Sequence, residues 1–272
     1  MIVTVNGAAL ACWTRGRRHP TALLLIHGFP LDHRMWAAQM AGLAAQVHVI
    51  AADLRGFGRS SASPVGPLTM DQHADDLAAL LDHLEIGRAV VAGLSMGGYI
   101  ALAFWRRHRQ RVQALVLADT RAEADSPQAR ANRDAAAAKV REAGVGALAD
   151  DMLPRLLAPA NLTNPRLVAA MRAMMTAQPA ATIIAALAGL RDRPDSRPTL
   201  PTITVPTLVV VGEHDALTPP ADAAALAASI PGARLVVIPA AGHMSPLENP
   251  RAVNVALRRF LAAVAAAAPA QP

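Results

Sequence analysis

The sequence predicts an α/β domain with a mostly parallel central sheet, helices on both faces and a helical insertion after the sixth strand. Three observations carry that expectation. Short apolar runs recur along the chain, amphipathic stretches separate most of them, and residues 121–200 hold helical patterns without a convincing strand. With 272 residues the chain is long enough to bury a substantial core and reads as one large domain carrying an insertion. A hydrophobic content of 53% and a mean hydropathy of +0.28 exclude a disordered chain.

Taken in order, residues 2–5 add an antiparallel edge, and the runs 22–26, 47–51, 89–92, 114–117, 207–211 and 234–238 read as buried parallel strands. Residues 70–84 and 97–109 have the spacing of amphipathic helices between them. The stretch 89–105 is uncharged and nears the length of a membrane span, but its three glycines and a serine make it a buried strand followed by a buried helix. Residues 121–200 are punctuated by Pro127, Pro154, Pro159, Pro165 and Pro179 and form a helical cap over the strand ends. The core is then 1–120 with 201–272, rejoined through the proline-rich connector 194–206. Met152, Met171, Met174 and Met175 in the cap are packing residues first, with Met152, Met171 and Met175, together with Arg121, as candidate substrate contacts.

Composition narrows the function classes. The formal charge of +6 and sequence pI of about 11.0 raise the question of nucleic acid, yet the arginines are scattered, Lys139 is the only lysine, and no basic stripe with interleaved aromatics exists. Neither nucleic acid nor a membrane is an expected partner, although a positive field favours anionic substrates. The single Cys12 permits no intrachain disulfide, and residues 1–7 carry neither a basic nor an apolar leader pattern, so a cytoplasmic protein is expected. No H-E-x-x-H and no phosphate-binding loop occurs, and Gly56-Phe57-Gly58 lacks the third glycine of a dinucleotide site. No metal and no cofactor is expected.

The chemistry centres on Gly93-Leu94-Ser95-Met96-Gly97, a G-x-S-x-G turn between a buried strand and a long apolar segment. Such a turn forces its serine into strained torsions and thrusts the hydroxyl above the sheet. A serine hydroxyl is a poor nucleophile at neutral pH and needs a histidine within hydrogen-bond reach, oriented by a carboxylate. Asp215 lies just beyond the 207–211 strand and His243 beyond the next, giving Ser95, Asp215 and His243 as candidate catalytic residues. Asp119, beyond the 114–117 strand, competes for the acid role; Glu213 and His214 read as solvated or structural. The backbone N–H groups of Phe29 and Met96 are candidate oxyanion donors, and His27 is a buried brace for that loop.

Five blocks in order resemble the α/β-hydrolase superfamily: His27-Gly28-Phe29-Pro30-Leu31-Asp32, then Asp53 to Ser60, then Gly93 to Gly98, then Gly212-Glu213-His214-Asp215 with Thr218-Pro219-Pro220, and finally Gly242-His243 with Glu248-Asn249-Pro250. Within it, Gly-Leu-Ser-Met-Gly-Gly and Leu117-Ala118-Asp119-Thr120 look like bacterial carboxylesterases and the 3-oxoadipate enol-lactonase group. The resemblance implies acyl transfer to Ser95 with His243 as base, no cofactor, and a structural turn at 53–60 unless Arg55 or Arg59 holds an anion. The expected activity is hydrolysis of small, short-chain, uncharged esters by a monomer or small homo-oligomer. An enol-lactonase, the alternative, needs a cation for the substrate carboxylate, which Arg121, Arg130 or Arg133 could supply. A perhydrolase side activity uses the same residues, whereas haloalkane dehalogenation needs an aspartate where Ser95 stands. The reading from another class is a non-catalytic receptor on the same scaffold.

Overall fold

The computed structural model describes residues 1–16, 19–61 and 66–267. An eight-stranded sheet runs β1 (Ile2–Val5), β2 (Ala8–Arg15), β4 (His48–Ala52), β3 (Ala22–Ile26), β5 (Ala89–Leu94), β6 (Val112–Ala118), β7 (Thr207–Gly212) and β8 (Arg234–Ile238) across its width. From β3 to β8 every pairing is parallel; β1 and β2 pair antiparallel with each other and β2 pairs antiparallel with β4. Strands β3, β4, β5 and β7 are buried along their whole length, as runs covered on both faces require.

The strand β2 is absent from the expected elements. Its signal is Asn6-Gly7, which adopts φ of 46° and 74° and joins β1 to β2 as a two-residue hairpin with Val5 opposite Ala8. The last strand departs from expectation as well: β8 is the sheet's edge, with Leu235 38% and Val237 44% exposed. Among the described residues no further strand pairs with it.

Helices α1 (Ala37–Leu43), α2 (Met70–His83) and α3 (Met96–His108) follow the strands, and their apolar residues divide between two cores. Residues of α2 and α3 pack with α7 (Pro220–Ala228) against one face of the sheet. On the other face α1 packs with α9 (Pro250–Ala267), which follows the short α8 (Ser245–Glu248).

Between β6 and β7 lie α4 (Pro127–Leu156), α5 (Pro165–Thr176) and α6 (Ala180–Arg191). The prolines mark starts as much as breaks: Pro127 and Pro165 occupy the first turns, behind the capping side chains of Ser126 and Asn164. Helix α4 is interrupted at Gly144, whose φ of 78° and ψ of 174° are not helical. Among the described residues no single helix is long and apolar enough to cross a membrane.

Candidate active site

Strand β5 ends in Gly93-Leu94 and α3 begins at Met96, leaving Ser95 alone to turn the chain at φ 54° and ψ −112°. This left-handed corner is possible because the residues two positions before and after it carry no side chain where the strand and helix meet. A Cβ on Gly93 would lie 2.0 Å from the Gly97 carbonyl oxygen, and one on Gly97 would lie 2.3 Å from that of Ile26. The Ser95 N–H donates to Ala118 O at 2.9 Å, tying the corner to β6.

Asp215 and His243 arrive from the loops after β7 and β8. His243 Nε2 lies 2.9 Å from Ser95 Oγ, and its Nδ1 lies 2.8 Å from Asp215 Oδ2. Asp215 also accepts from Thr218 Oγ at 2.6 Å, Thr218 N at 2.9 Å and Leu217 N at 2.8 Å. With the carboxylate holding the proton of Nδ1, Nε2 is free to accept from Ser95. Burial pushes the Asp215 carboxyl up, but the hydrogen bond and charge of His243 and the bonds from Thr218 outweigh it, and the net shift is downward.

Asp119 goes elsewhere. Its Oδ1 accepts from Gly212 N at 2.8 Å and its Oδ2 meets Ser245 Oγ at 2.5 Å, so it fastens the ends of β7 and α8 without touching His243. Burial above all, then the charge of Asp215, raises its carboxyl well above the ordinary range. His214 is exposed beside Glu213, away from Ser95. His27 is fully buried; its Nε2 accepts from Leu54 N at 3.0 Å, which leaves Nδ1 to donate to Gly28 O, also at 3.0 Å. Burial first of all lowers its pKa.

Ser95 and His243 open into a cavity of about 510 Å³. Phe29, Met96, Met152 and Arg121 line it as well. Met96 opens α3 and so has no acceptor within the helix, and the N–H of Phe29 donates to no backbone or side-chain acceptor among the described residues. Met171 and Met175 do not line the cavity: α5 packs on α4, and both side chains are fully buried in the apolar core. Arg130 is also outside the lining, and Arg55 is engaged by Asp76 Oδ1 at 2.7 Å.

Several lining residues have no counterpart among the sequence candidates: Tyr99, Leu148, Arg155, Leu187, Arg193 and Thr218. Most cationic groups are already matched. Arg121 reaches Asp222 at 3.2 Å and the Leu217 carbonyl, Arg133 and Arg193 share Asp125, and Lys139 meets Asp151. The guanidinium of Arg155 makes no hydrogen bond or ion pair among the described residues. Asp32, His33 and Asp53 gather near one another, but their oxygens are taken by Arg34, His33 and the N–H of Arg59.

A family model described as the alpha/beta hydrolase fold matches residues 21–250. The chain is 33% identical over 263 residues to 3-oxoadipate enol-lactonase 2 of Acinetobacter baylyi, covering 95% of each. It superposes with a TM-score of 0.92 and 44% identity on a thermophilic esterase from Thermogutta terrifontis solved with malate bound, over 97% of both chains. The enol-lactonase from Burkholderia xenovorans LB400 superposes with a TM-score of 0.90 and 34% identity, over 96% of this chain and 100% of that one.

Proposed function

The chain belongs to the α/β-hydrolase-fold family, and from that premise we propose that it is a serine hydrolase that cleaves small carboxylic esters through an acyl-enzyme on Ser95. One observation carries the reading: a single imidazole joins the Ser95 hydroxyl at 2.9 Å to a buried carboxylate at 2.8 Å.

In that reading His243 Nε2 takes the Oγ proton as Ser95 attacks the ester carbonyl. The negative charge that develops on the carbonyl oxygen is met by the N–H groups of Phe29 and Met96, donors fixed before the reaction begins. Asp215 keeps the imidazole in the productive tautomer and stabilises its charged form. Collapse of the tetrahedral species breaks the ester C–O bond, and His243 returns the proton to the departing alcohol. Water then attacks the acyl-enzyme by the same route, and the acid leaves with Ser95 restored.

The cavity supports a short, uncharged acyl group. Leu148, Met152, Leu156, Leu187 and Leu190 supply apolar lining, and most of the neighbouring cations are already neutralised. Arg155 favours a second reading, an enol-lactonase-type hydrolysis in which the guanidinium meets a carboxylate on a lactone. The test is release of acid from short-chain chromogenic esters and from a lactone panel, by wild type and by Ser95→Ala. Ester turnover lost in the variant is expected. Lactone turnover without ester turnover moves the assignment to the second reading, and full turnover in Ser95→Ala removes both.

A further inference from the structure

The loop that carries His243 runs from the end of β8 to the start of α8 and belongs to no ladder or helix. Hydrogen bonds to a residue that never touches the imidazole hold it in place. Glu248 turns back from the end of α8, and its Oε1 accepts from Gly242 N at 2.9 Å and Met244 N at 3.1 Å, the N–H groups of the residues on either side of His243. Its other oxygen faces away from the loop. Oε2 accepts from Ala158 N and from Asn161 Nδ2, each at 2.7 Å, in the segment that follows α4.

Two further contacts make this junction tight. Asn161 Nδ2 also donates to Ala240 O at 3.0 Å. A Cβ on Gly242 would lie 2.5 Å from Ala158 N, so the two backbones touch where any side chain would part them. The last turn of α4, immediately before this segment, carries Met152, Arg155 and Leu156 of the cavity wall. One carboxylate therefore joins the segment after the cavity wall to the backbone N–H groups of both neighbours of His243.

Resting on the serine-hydrolase reading, we propose that Glu248 is the positioning residue for His243 and that through it the helices between β6 and β7 control the distance from His243 to Ser95. A carboxylate suits the role because all four of its partners are donors. An amide presents one acceptor and one donor, and can satisfy only half of them. Small displacements matter because catalysis depends steeply on the placement of the base.

The experiment compares wild type with Glu248→Gln, Glu248→Ala and Asn161→Ala, measuring kcat per titrated active serine, KM and melting temperature. Asn161 is only partly buried, and its truncation cuts the side-chain half of the link to the helices while leaving the bonds to Gly242 and Met244 intact. The expected result is a kcat lowered by about 100-fold in Glu248→Ala, by about tenfold in Glu248→Gln and severalfold in Asn161→Ala, with KM within about twofold throughout. If Glu248→Ala does not fold, the other two variants carry the test. Wild-type kcat per site in both of these, with only the melting temperature lowered, would make Glu248 a staple of the fold and overturn the proposal. A wild type that neither turns over esters or lactones nor reacts with a serine-directed phosphonate removes the hydrolase reading itself, an outcome distinct from the first.

Discussion

Ser95 holds a backbone conformation that costs on the order of 1–3 kcal/mol, and its surroundings sustain it: bare glycines on both sides and a hydrogen bond to Ala118. The same scale decides between two buried carboxylates. Asp215 touches His243 and Asp119 does not, so the exchange Asp215→Asn leaves the imidazole without its orienting acceptor. A fall in kcat on the order of 10⁴-fold is expected for Asp215→Asn, with a much smaller fall for Asp119→Asn, in steady-state assays of the two variants. The reverse order would move the acid role to Asp119. Ser95, Asp215 and His243 were legible because each sits within a few residues of the end of an apolar run. Asp119 follows the same rule, and only the direction of its side chain separates it from Asp215. Glu248 was quoted within a motif, but its four bonds join residues far apart in sequence, and spacing carries no trace of them.

Helix α2 brings a different group into the interior. Both ring nitrogens of His73 are buried without a hydrogen-bond partner, and burial, then the charges of His27 and Arg55, depress its pKa from 6.5 to about 3. Between these values the unfolded chain takes a proton that the folded chain refuses, so stability is full above pH 6.5 and is lost as pH falls toward 3. Each unit within that window costs up to ~1.4 kcal/mol. Wild type is expected to lose roughly 2 kcal/mol more than His73→Leu between pH 7 and pH 5 in denaturant titrations. Parallel curves for the two proteins would show that His73 stays neutral in both states. Elements were unevenly legible for related reasons. Strands β3, β5 and β7 announce themselves as unbroken apolar runs, whereas β2 mixes Cys12, Trp13 and Arg15 with alanines and is defined by its partners on either side. Burial misled at β8, whose apolar sequence resembles a central strand's although it pairs on one edge only.

Across the whole molecule, six parallel strands place Ser95, Asp215 and His243 at the same end of the sheet, under helices supplied by the connection between β6 and β7. The apolar runs and the five motif blocks made this architecture readable, and the family match over 21–250 agrees with them. What fills the cavity was less readable. Met171 and Met175 share composition and helical setting with Met152, but they face the core, because which side of a short helix meets the cavity depends on how that helix docks. The formal charge of +6 says little about the site, where Asp125, Asp151 and Asp222 offset local cations and Arg155 stands apart.

In the proposed reaction, chemistry passes through a covalent bond to Ser95. Treatment with a fluorophosphonate, followed by peptide mass spectrometry and residual esterase or lactonase assays, tests it directly. One adduct per chain is expected, located on Ser95, with hydrolysis lost in proportion to labelling. Full hydrolysis by protein completely labelled at Ser95, or inactivation with the adduct on another residue, would contradict it.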